Sequence, residues 1–218
     1  MYIKSQKYIL FFKFLLLTYV SLFYLASNMF KTVKQALFSS GLQSPTCTAL
    51  ENEGSEYETR QYEAAKWVST GIGTLNDWDS VTGSGFMRLF NYIQGNNEKK
   101  VKIDMTVPVT TFIQPGEGPA CESSLTMSFF IPNEHQEEPP KPSDVNVFIE
   151  ERPQMTVYVR TFGGFTNAAK SQEQLLLLSE SLKKDGKSLD ENVYYTAGYD
   201  SPFKLMNRRN EVWFIAKP

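Results

Sequence analysis

The residue types that most often carry catalysis or bind metal ions are scarce in this sequence. Its 218 residues include one histidine, His135, and two cysteines, Cys47 and Cys121. Two cysteines cannot form a disulfide framework, and one histidine leaves no room for a zinc site built on several His and Cys ligands. A Ser-His-Asp or Cys-His hydrolase would have to use His135, which lies in a polar, acid-rich run. Catalysis that depends on histidine is therefore disfavoured.

Paired carboxylates are the other common acid/base device, and two pairs stand close in the sequence: Asp77 with Asp79, and Glu150 with Glu151. Adjacent residues of a strand point to opposite faces, so Glu150 and Glu151 cannot act together on one substrate. No other combination of nucleophile and base is evident. We therefore predict that the protein is not an enzyme.

Two arginines occupy equivalent places in two similar stretches of the chain. Arg60 follows Glu58 and Arg152 follows Glu150, and the two arginines are 92 residues apart. Equivalent positions in two copies of a unit suggest structural ion pairs with those glutamates and not a binding site. A second motif, Met105-x-x-Pro108, recurs 94 residues later as Tyr199-x-x-Pro202, and this near-constant offset indicates an internal duplication.

The elements that position these residues repeat in the same order. Aromatic and β-branched stretches predict strands, while apolar residues at helical spacing predict one helix from about Asp77 to Gly95 and a second, capped by Thr166, to about Lys184. The predicted strands are Tyr57–Tyr62, Ala65–Thr70, Lys102–Ile113, Ser124–Ile131, Asp144–Glu150, Met155–Phe162, Val193–Tyr199 and Glu211–Ile215. Each half reads strand, strand, helix, strand, strand. This pattern predicts an α+β domain with a pseudo-twofold axis.

Charge and hydropathy divide the chain into three parts. Residues 1–50 carry five lysines and no acid, although Lys+Arg 22 nearly balances Asp+Glu 24 over the whole chain, and nothing in this balance points to nucleic acid. Residues 1–28 form an apolar segment that resembles a signal anchor, or an upstream extension of the gene model if the protein starts at Met29. We predict a linker or arm over residues 29–52 and the folded domain over residues 53–218. If residues 1–28 are part of the protein, we expect it to be membrane-anchored or secreted, and any membrane contact would use this segment.

Several separated motifs of the sequence are distinctive. They are Tyr57-Glu-x-Arg60, Tyr92-Ile-Gln-Gly95, Met105-Thr-Val-Pro-Val109, Met155-Thr-Val-Tyr-Val159, Phe162-Gly-Gly-Phe165, Tyr194-Tyr-Thr-Ala-Gly-Tyr199 and Asn207-Arg-Arg-Asn-Glu-Val-Trp213. Together they resemble the SOUL/heme-binding protein family, most closely its heme-binding protein 2 branch. The resemblance covers about residues 53–217. It implies a distorted antiparallel β-barrel flanked by two α-helices. It also implies non-catalytic binding of heme and related tetrapyrroles, to buffer or transport them, in the cytoplasm and in some members in mitochondria.

The resemblance also implies where heme would bind. One branch places an axial histidine where this chain has Gln61, so we expect heme to bind without a histidine ligand. The other branch uses an apolar surface and basic side chains that meet the propionates, and Lys204 matches one basic position. Arg208 and its neighbour Arg209 could pair with propionates in the same way, or Lys204 and both arginines could form a solvated loop.

An apolar face for the porphyrin is expected on the first helix. Phe86, Met87 and Phe90 recur there at helical spacing, and flat ligands favour aromatic and methionine surfaces. The same spacing is typical of residues that pack into a core, and some of these side chains could do both.

The second helix gives an alternative function without heme. Over residues 166–184, Leu175, Leu178 and Leu182 have the spacing of a segment that docks in the hydrophobic groove of a protein partner, as in a cell-death or mitochondrial regulator. An ordinary amphipathic helix that covers a sheet has the same spacing.

Overall fold

The computed structural model describes residues 41–51, 56–73, 78–114, 123–201 and 203–217. Within these ranges the chain forms nine strands and two α-helices. The strands are β1 Cys47–Glu51, β2 Glu58–Tyr62, β3 Ala65–Gly73, β4 Val109–Gln114, β5 Ser124–Phe130, β6 Val147–Arg152, β7 Met155–Phe162, β8 Leu189–Gly198 and β9 Asn210–Ala216. The helices are α1 Trp78–Ile93 and α2 Ala168–Lys184.

The described strands form one antiparallel sheet in the order β1-β2-β7-β9-β8-β4-β5-β3-β6. Apart from β1, the eight strands of this sheet belong to two halves of the chain, β2-β3-α1-β4-β5 and β6-β7-α2-β8-β9. Exchanging the halves reverses the order of these eight strands and leaves it otherwise unchanged, so a pseudo-twofold axis runs between β8 and β4. The first strand of each half pairs with the second strand of the other half. The α+β class, the duplication and the distorted antiparallel barrel are thereby confirmed.

Both helices pack on the same face of this sheet. The cluster under α1 and the cluster under α2 share Tyr194, which contacts the buried residues of both. A third cluster, which includes Tyr62, Tyr195 and Trp213, lies on the opposite face. Side chains alternate between faces along a strand, so Tyr194 points to the face that the helices cover and Tyr195 points to the opposite face. We call these the helix-covered face and the helix-free face.

Helix α1 approaches β3 closely, and a glycine makes this possible. A Cβ atom on Gly85 would lie 2.2 Å from Cγ2 of Ile72. Leu89, Tyr92 and Ile93, which belong to the same helix, are buried. Gly85 therefore weakens the helix locally but permits the contact that holds it on the sheet. The predicted cap at Asp77 lies outside the described residues.

Helix α2 begins one residue later than predicted. Its N-cap is Asn167, whose side-chain oxygen accepts a 2.9 Å hydrogen bond from the backbone N–H of Lys170. Thr166, the predicted cap, instead places Oγ1 3.1 Å from the hydroxyl of Ser171. Amide side chains cap helices at least as well as threonine, so the two adjacent candidates could not be separated by residue type.

Two other boundaries differ from the prediction. The strand predicted over Lys102–Ile113 begins only at Val109, because Pro108 has no N–H to donate to a ladder. Residues 47–51, which were assigned to the linker or arm, form the edge strand β1 and pair with β2. None of the helices in the described ranges is long and apolar enough to cross a membrane, and residues 1–28 lie outside those ranges.

Candidate functional site

The predicted apolar residues of α1 divide between packing and exposure. Phe86 and Phe90 are half-buried, and their rings stack at 6.0 Å with an angle of 14°. Phe86 also contacts the buried Phe129 of β5, with ring centroids 5.2 Å apart. Met87 is 51% exposed. The two phenylalanines thus belong to the edge of the core, while Met87 offers its thioether to solvent.

The predicted basic residues lie in the loop between β8 and β9, which they help to close. The Lys204 ammonium is 2.6 Å from the carboxylate of Asp200. Arg208 donates from Nη1 to the backbone carbonyls of Ser201 and Lys204, and its guanidinium lies 4.7 Å from the ring centre of Phe165. Its Nε is buried and has no hydrogen-bond partner among the described residues. Both basic side chains are therefore anchored, and Arg208 keeps one unsatisfied donor.

Large apolar side chains surround these basic residues and are exposed. Phe165 is 62% exposed, Phe203 71%, Leu205 75% and Met206 77%. We call Phe165 together with residues 203–208 the loop patch. Contiguous exposed apolar surface on a folded protein usually marks a binding site. Sequence reasoning selected Lys204 and Arg208 but missed this apolar component, although Phe203, Leu205 and Met206 interrupt an otherwise polar loop.

Strand register brings the α1 aromatic residues and the loop patch to the same end of the sheet. Phe129, which Phe86 contacts, is paired with Val109, and Val109 is paired with Gly198, the last residue of β8. Two strand spacings separate Phe129 from Gly198, or about 10 Å. The β8–β9 loop therefore starts close to the aromatic pair of α1.

The sixth predicted residue, Gln61, lies elsewhere. It is paired with Thr156 near the start of β7, whereas the loop patch follows Phe162, which is paired with Asn210 at the other end of that strand. Six residues of extended chain span roughly 20 Å. Gln61 therefore lies on β2 and belongs neither to α1 nor to the loop patch, which hold the five other predicted residues.

A cavity of about 510 Å³ opens on the helix-free face at the end of the sheet where β8 stops and β9 starts. Three residues of its lining, Arg60, Tyr199 and Arg209, contact the fully buried carboxylate of Glu211, which does not itself line the cavity. This carboxylate accepts hydrogen bonds from Arg60 Nη1 at 3.1 Å, Arg209 Nη2 at 2.6 Å, the Tyr199 hydroxyl at 2.8 Å and Trp213 Nε1 at 2.8 Å. Adjacent arginines of the sequence thus face different surroundings, because Arg208 stacks on Phe165 while Arg209 pairs with Glu211.

The ionisation of this network follows from its contacts. Burial alone would raise the pKa of Glu211, but attraction to Arg60 and Arg209, with their hydrogen bonds, lowers it below the usual carboxyl value. Burial raises the pKa of Tyr62 to about 12 and also raises that of Tyr199. Glu211 is therefore charged at neutral pH while both phenols are protonated.

The ion pairs predicted for the two halves are present. Arg60 Nη2 lies 2.7 Å from Glu58, and Arg152 Nε lies 3.0 Å from Glu150. The two halves differ in the second residue that this arginine contacts, which is Glu211 for Arg60 and Ser128 for Arg152. Strand pairing places Ser128 where the other half has Glu211, because Ser69 opposes Ser128 as Thr161 opposes Glu211. The buried acid is thus a departure from the internal symmetry.

Comparison with known proteins identifies the family. The family model described as SOUL heme-binding protein matches residues 42–215. The chain belongs to the SOUL heme-binding protein family. Human heme-binding protein 2 is 53% identical over 182 residues, which cover 82% of this chain and 88% of that protein. Mouse heme-binding protein 1 is 35% identical over 190 residues, covering 86% of this chain and 99% of that protein.

A likeness to a solved structure extends the fold beyond this family. The C-terminal domain of EcmrR superposes with a TM-score of 0.53 and 11% sequence identity, over 74% of this SOUL family member and 97% of that domain. At this identity the likeness shows a shared fold alone. Within the described ranges, no group of three or more His, Cys, Asp or Glu side chains assembles a metal site.

Proposed function

We propose that this protein binds heme and related tetrapyrroles without transforming them, and so buffers or carries them. The observation that supports this most directly is the exposed apolar and basic surface of the loop patch, at the end of the sheet where β8 stops. Its relatives in human and mouse are named heme-binding proteins, in agreement with this proposal.

The chemistry of this surface fits a porphyrin with two carboxylates. Exposed side chains of Phe203, Leu205 and Met206 can cover a flat apolar ring. Lys204 uses one of its three N–H donors on Asp200, which leaves donors for a propionate. The buried Nε of Arg208 has no acceptor among the described residues. The assigned side chains include no histidine. We therefore assign the affinity to the ring and its carboxylates.

Removing the apolar part of the loop patch tests this location. In the double variant Leu205→Ser/Met206→Ser we expect hemin affinity to fall several-fold, because both side chains are exposed and their loss removes apolar contact without disturbing the core. Leu176→Ser, which changes an exposed leucine of α2, is the matched control and should bind like the wild type. Equal affinity in all three proteins would remove the loop patch from the site.

The helix alternative is not favoured by the packing of α2. Leu175, Leu178 and Leu182, the residues with groove-docking spacing, are buried against the sheet. A partner could reach them only after the helix left the domain.

For the compartment and domain boundaries, our proposal keeps the two possibilities given by the sequence. Residues 1–28 serve as a membrane anchor, or the mature cytoplasmic protein starts at Met29. Fractionation of cells that express residues 1–218 or 29–218 distinguishes them. If residues 1–218 are found in membranes while residues 29–218 are soluble, residues 1–28 are a membrane anchor. If the N-terminus of the native protein is Met29, residues 1–28 are an extension of the gene model. If residues 29–218 do not fold, the proposed boundary is wrong.

A further inference from the structure

The cavity on the helix-free face plays no part in the proposed tetrapyrrole site. Along one wall runs a row of four charged side chains of alternating sign, each in contact with the next: Glu58, Arg60, Glu211 and Arg209. The contacts between neighbours are 2.7 Å, 3.1 Å and 2.6 Å. Glu58, Arg60 and Arg209 line the cavity directly.

The inner and outer members of this row differ in exposure. The side chains of Arg60 and Glu211 are 8% and 0% exposed, and they satisfy each other. Those of Glu58 and Arg209 are 44% and 48% exposed. Among the described residues Glu58 and Arg209 form no ion pair with each other, because each is paired with a member of the inner pair.

Each outer side chain keeps hydrogen-bonding capacity. The bonds from Arg60 reach Oε2 of Glu58, and Arg209 gives Nε and Nη2 to Glu211. Within the described part of the chain, Oε1 of Glu58 and Nη1 of Arg209 make no hydrogen bond. The cavity thus presents one anionic acceptor and one cationic donor at separate points.

The remaining walls combine small polar side chains, Ser44 and Thr161, with proline and tyrosine rings. Pro45, Pro108 and the rings of Tyr62 and Tyr199 line the cavity, whose volume of about 510 Å³ lies within the usual range for small-molecule sites. A ligand with one charge would pair with only one of Glu58 and Arg209 and would place its apolar body over the remaining hydrogen-bonding atom of the other. A dipolar ligand would satisfy both.

We infer that this cavity binds a small zwitterion with an aromatic or apolar body, such as an amino acid, whose ammonium group pairs with Glu58 and whose carboxylate pairs with Arg209. The internal duplication supports a role beyond folding. In the other half Arg152 pairs with Glu150 and with Ser128, so an arginine–glutamate pair suffices there without a second acid.

Isothermal titration calorimetry of the full chain with four indole compounds measures how much each charge of the ligand contributes to binding. L-tryptophan carries both charges, tryptamine lacks the carboxylate, indole-3-propionate lacks the ammonium group, and N-acetyl-tryptophan amide lacks both. We expect tryptophan to bind most tightly, and each lost charge to weaken binding about two- to five-fold, as for half-exposed ion pairs.

Variants assign each charge to its partner. Glu58→Gln should abolish the preference for tryptophan over indole-3-propionate, and Arg209→Gln should abolish the preference for tryptophan over tryptamine. Glu173→Gln on α2 and Arg88→Gln on α1 are the matched controls and should keep both preferences. Glu58→Gln is nearly isosteric and half-exposed, so it serves if Arg209→Gln does not fold.

The inference is overturned if none of the four compounds binds at millimolar concentration, if all bind equally, or if Glu58→Gln keeps the wild-type preferences. Hemin titration of Glu58→Gln separates this inference from the proposed function. Because the tetrapyrrole surface does not include Glu58, hemin affinity should stay unchanged while the preference for the zwitterion is lost.

Discussion

Glu211 shows how a buried charge is held in this fold. Its carboxylate is enclosed by two guanidinium groups, a phenol and an indole N–H, so its desolvation is offset by charge-assisted hydrogen bonds. Arg60 is also buried, and it contacts both Glu58 and Glu211. Removing the acid would leave Arg60 with a single carboxylate partner at the surface.

We predict that Glu211→Gln lowers the free energy of unfolding at pH 7 by about 3–5 kcal/mol, the usual cost of breaking a buried pair. The pKa of Glu211 is lowered in the folded state, so the unfolded chain takes up the proton first as the pH falls. The stabilisation is complete above the ordinary carboxyl pKa and is lost as the pH falls through the lowered value. The variant should therefore lose less stability between pH 7 and pH 3 than the wild type.

Urea unfolding at both pH values measures this effect. Glu173→Gln, an exposed acid on α2, is the control and should follow the wild-type pH dependence. Parallel pH profiles for wild type and Glu211→Gln, or a loss below 1 kcal/mol at pH 7, would contradict the prediction.

At the loop patch we predict that Lys204→Glu weakens binding of anionic tetrapyrroles by on the order of 1 kcal/mol or more, through a lost ion pair and added repulsion. The effect should shrink as salt is added, because screening reduces both contributions. Lys170→Glu, on the exposed face of α2, is the matched charge reversal. If both variants titrate like the wild type at low ionic strength, Lys204 belongs to a solvated loop.

At the level of elements, the order of strands and helices could be predicted because local pattern determines it. Alternating β-branched stretches and helical spacing gave the two halves in the observed order. Boundaries were less accurate where neighbours decide them. Nothing in the residues 47–51 shows that they find a free edge beside β2, and the choice between Thr166 and Asn167 as the cap depends on backbone geometry.

The same limit applies to the site. Met87, Lys204 and Arg208 were selected by residue type and by resemblance, and the structure places them at one end of the sheet. Gln61 was selected by motif alignment, and it lies on β2, outside both α1 and the loop patch. Glu211 could not be identified from sequence, since its burial results from strands that are distant along the chain.

For α2 we predict that Leu178→Ala destabilises the domain by about 2–5 kcal/mol, because this side chain is fully buried on the face of the helix that packs on the sheet. Leu176→Ala, two residues away and 60% exposed, should change stability by about 0.5 kcal/mol or less. Thermal or chemical unfolding of the two variants compares the two faces. Equal effects would mean that α2 does not pack its leucine face on the sheet, and would reopen the groove-docking alternative.

The whole molecule combines two different faces at one end of a duplicated sheet. On the helix-covered face, α1 brings Phe86, Met87 and Phe90 close to the start of the β8–β9 loop. On the helix-free face, charged side chains line a cavity. The duplication supplies the common scaffold, and departures from its symmetry, such as Glu211 in place of the equivalent Ser128, mark where the halves have diverged.

Tetrapyrrole binding by the ring and its carboxylates, without a histidine ligand, is tested most directly by parallel titrations with hemin and iron-free protoporphyrin IX. We predict that the wild type binds both, with affinities within about ten-fold of each other. Soret absorbance measures the binding of hemin, and porphyrin fluorescence measures the binding of protoporphyrin IX. His135→Ala should change neither affinity. The account is contradicted if neither compound binds better than to an unrelated control protein, or if hemin binds with a low-spin bis-histidine spectrum that His135→Ala abolishes.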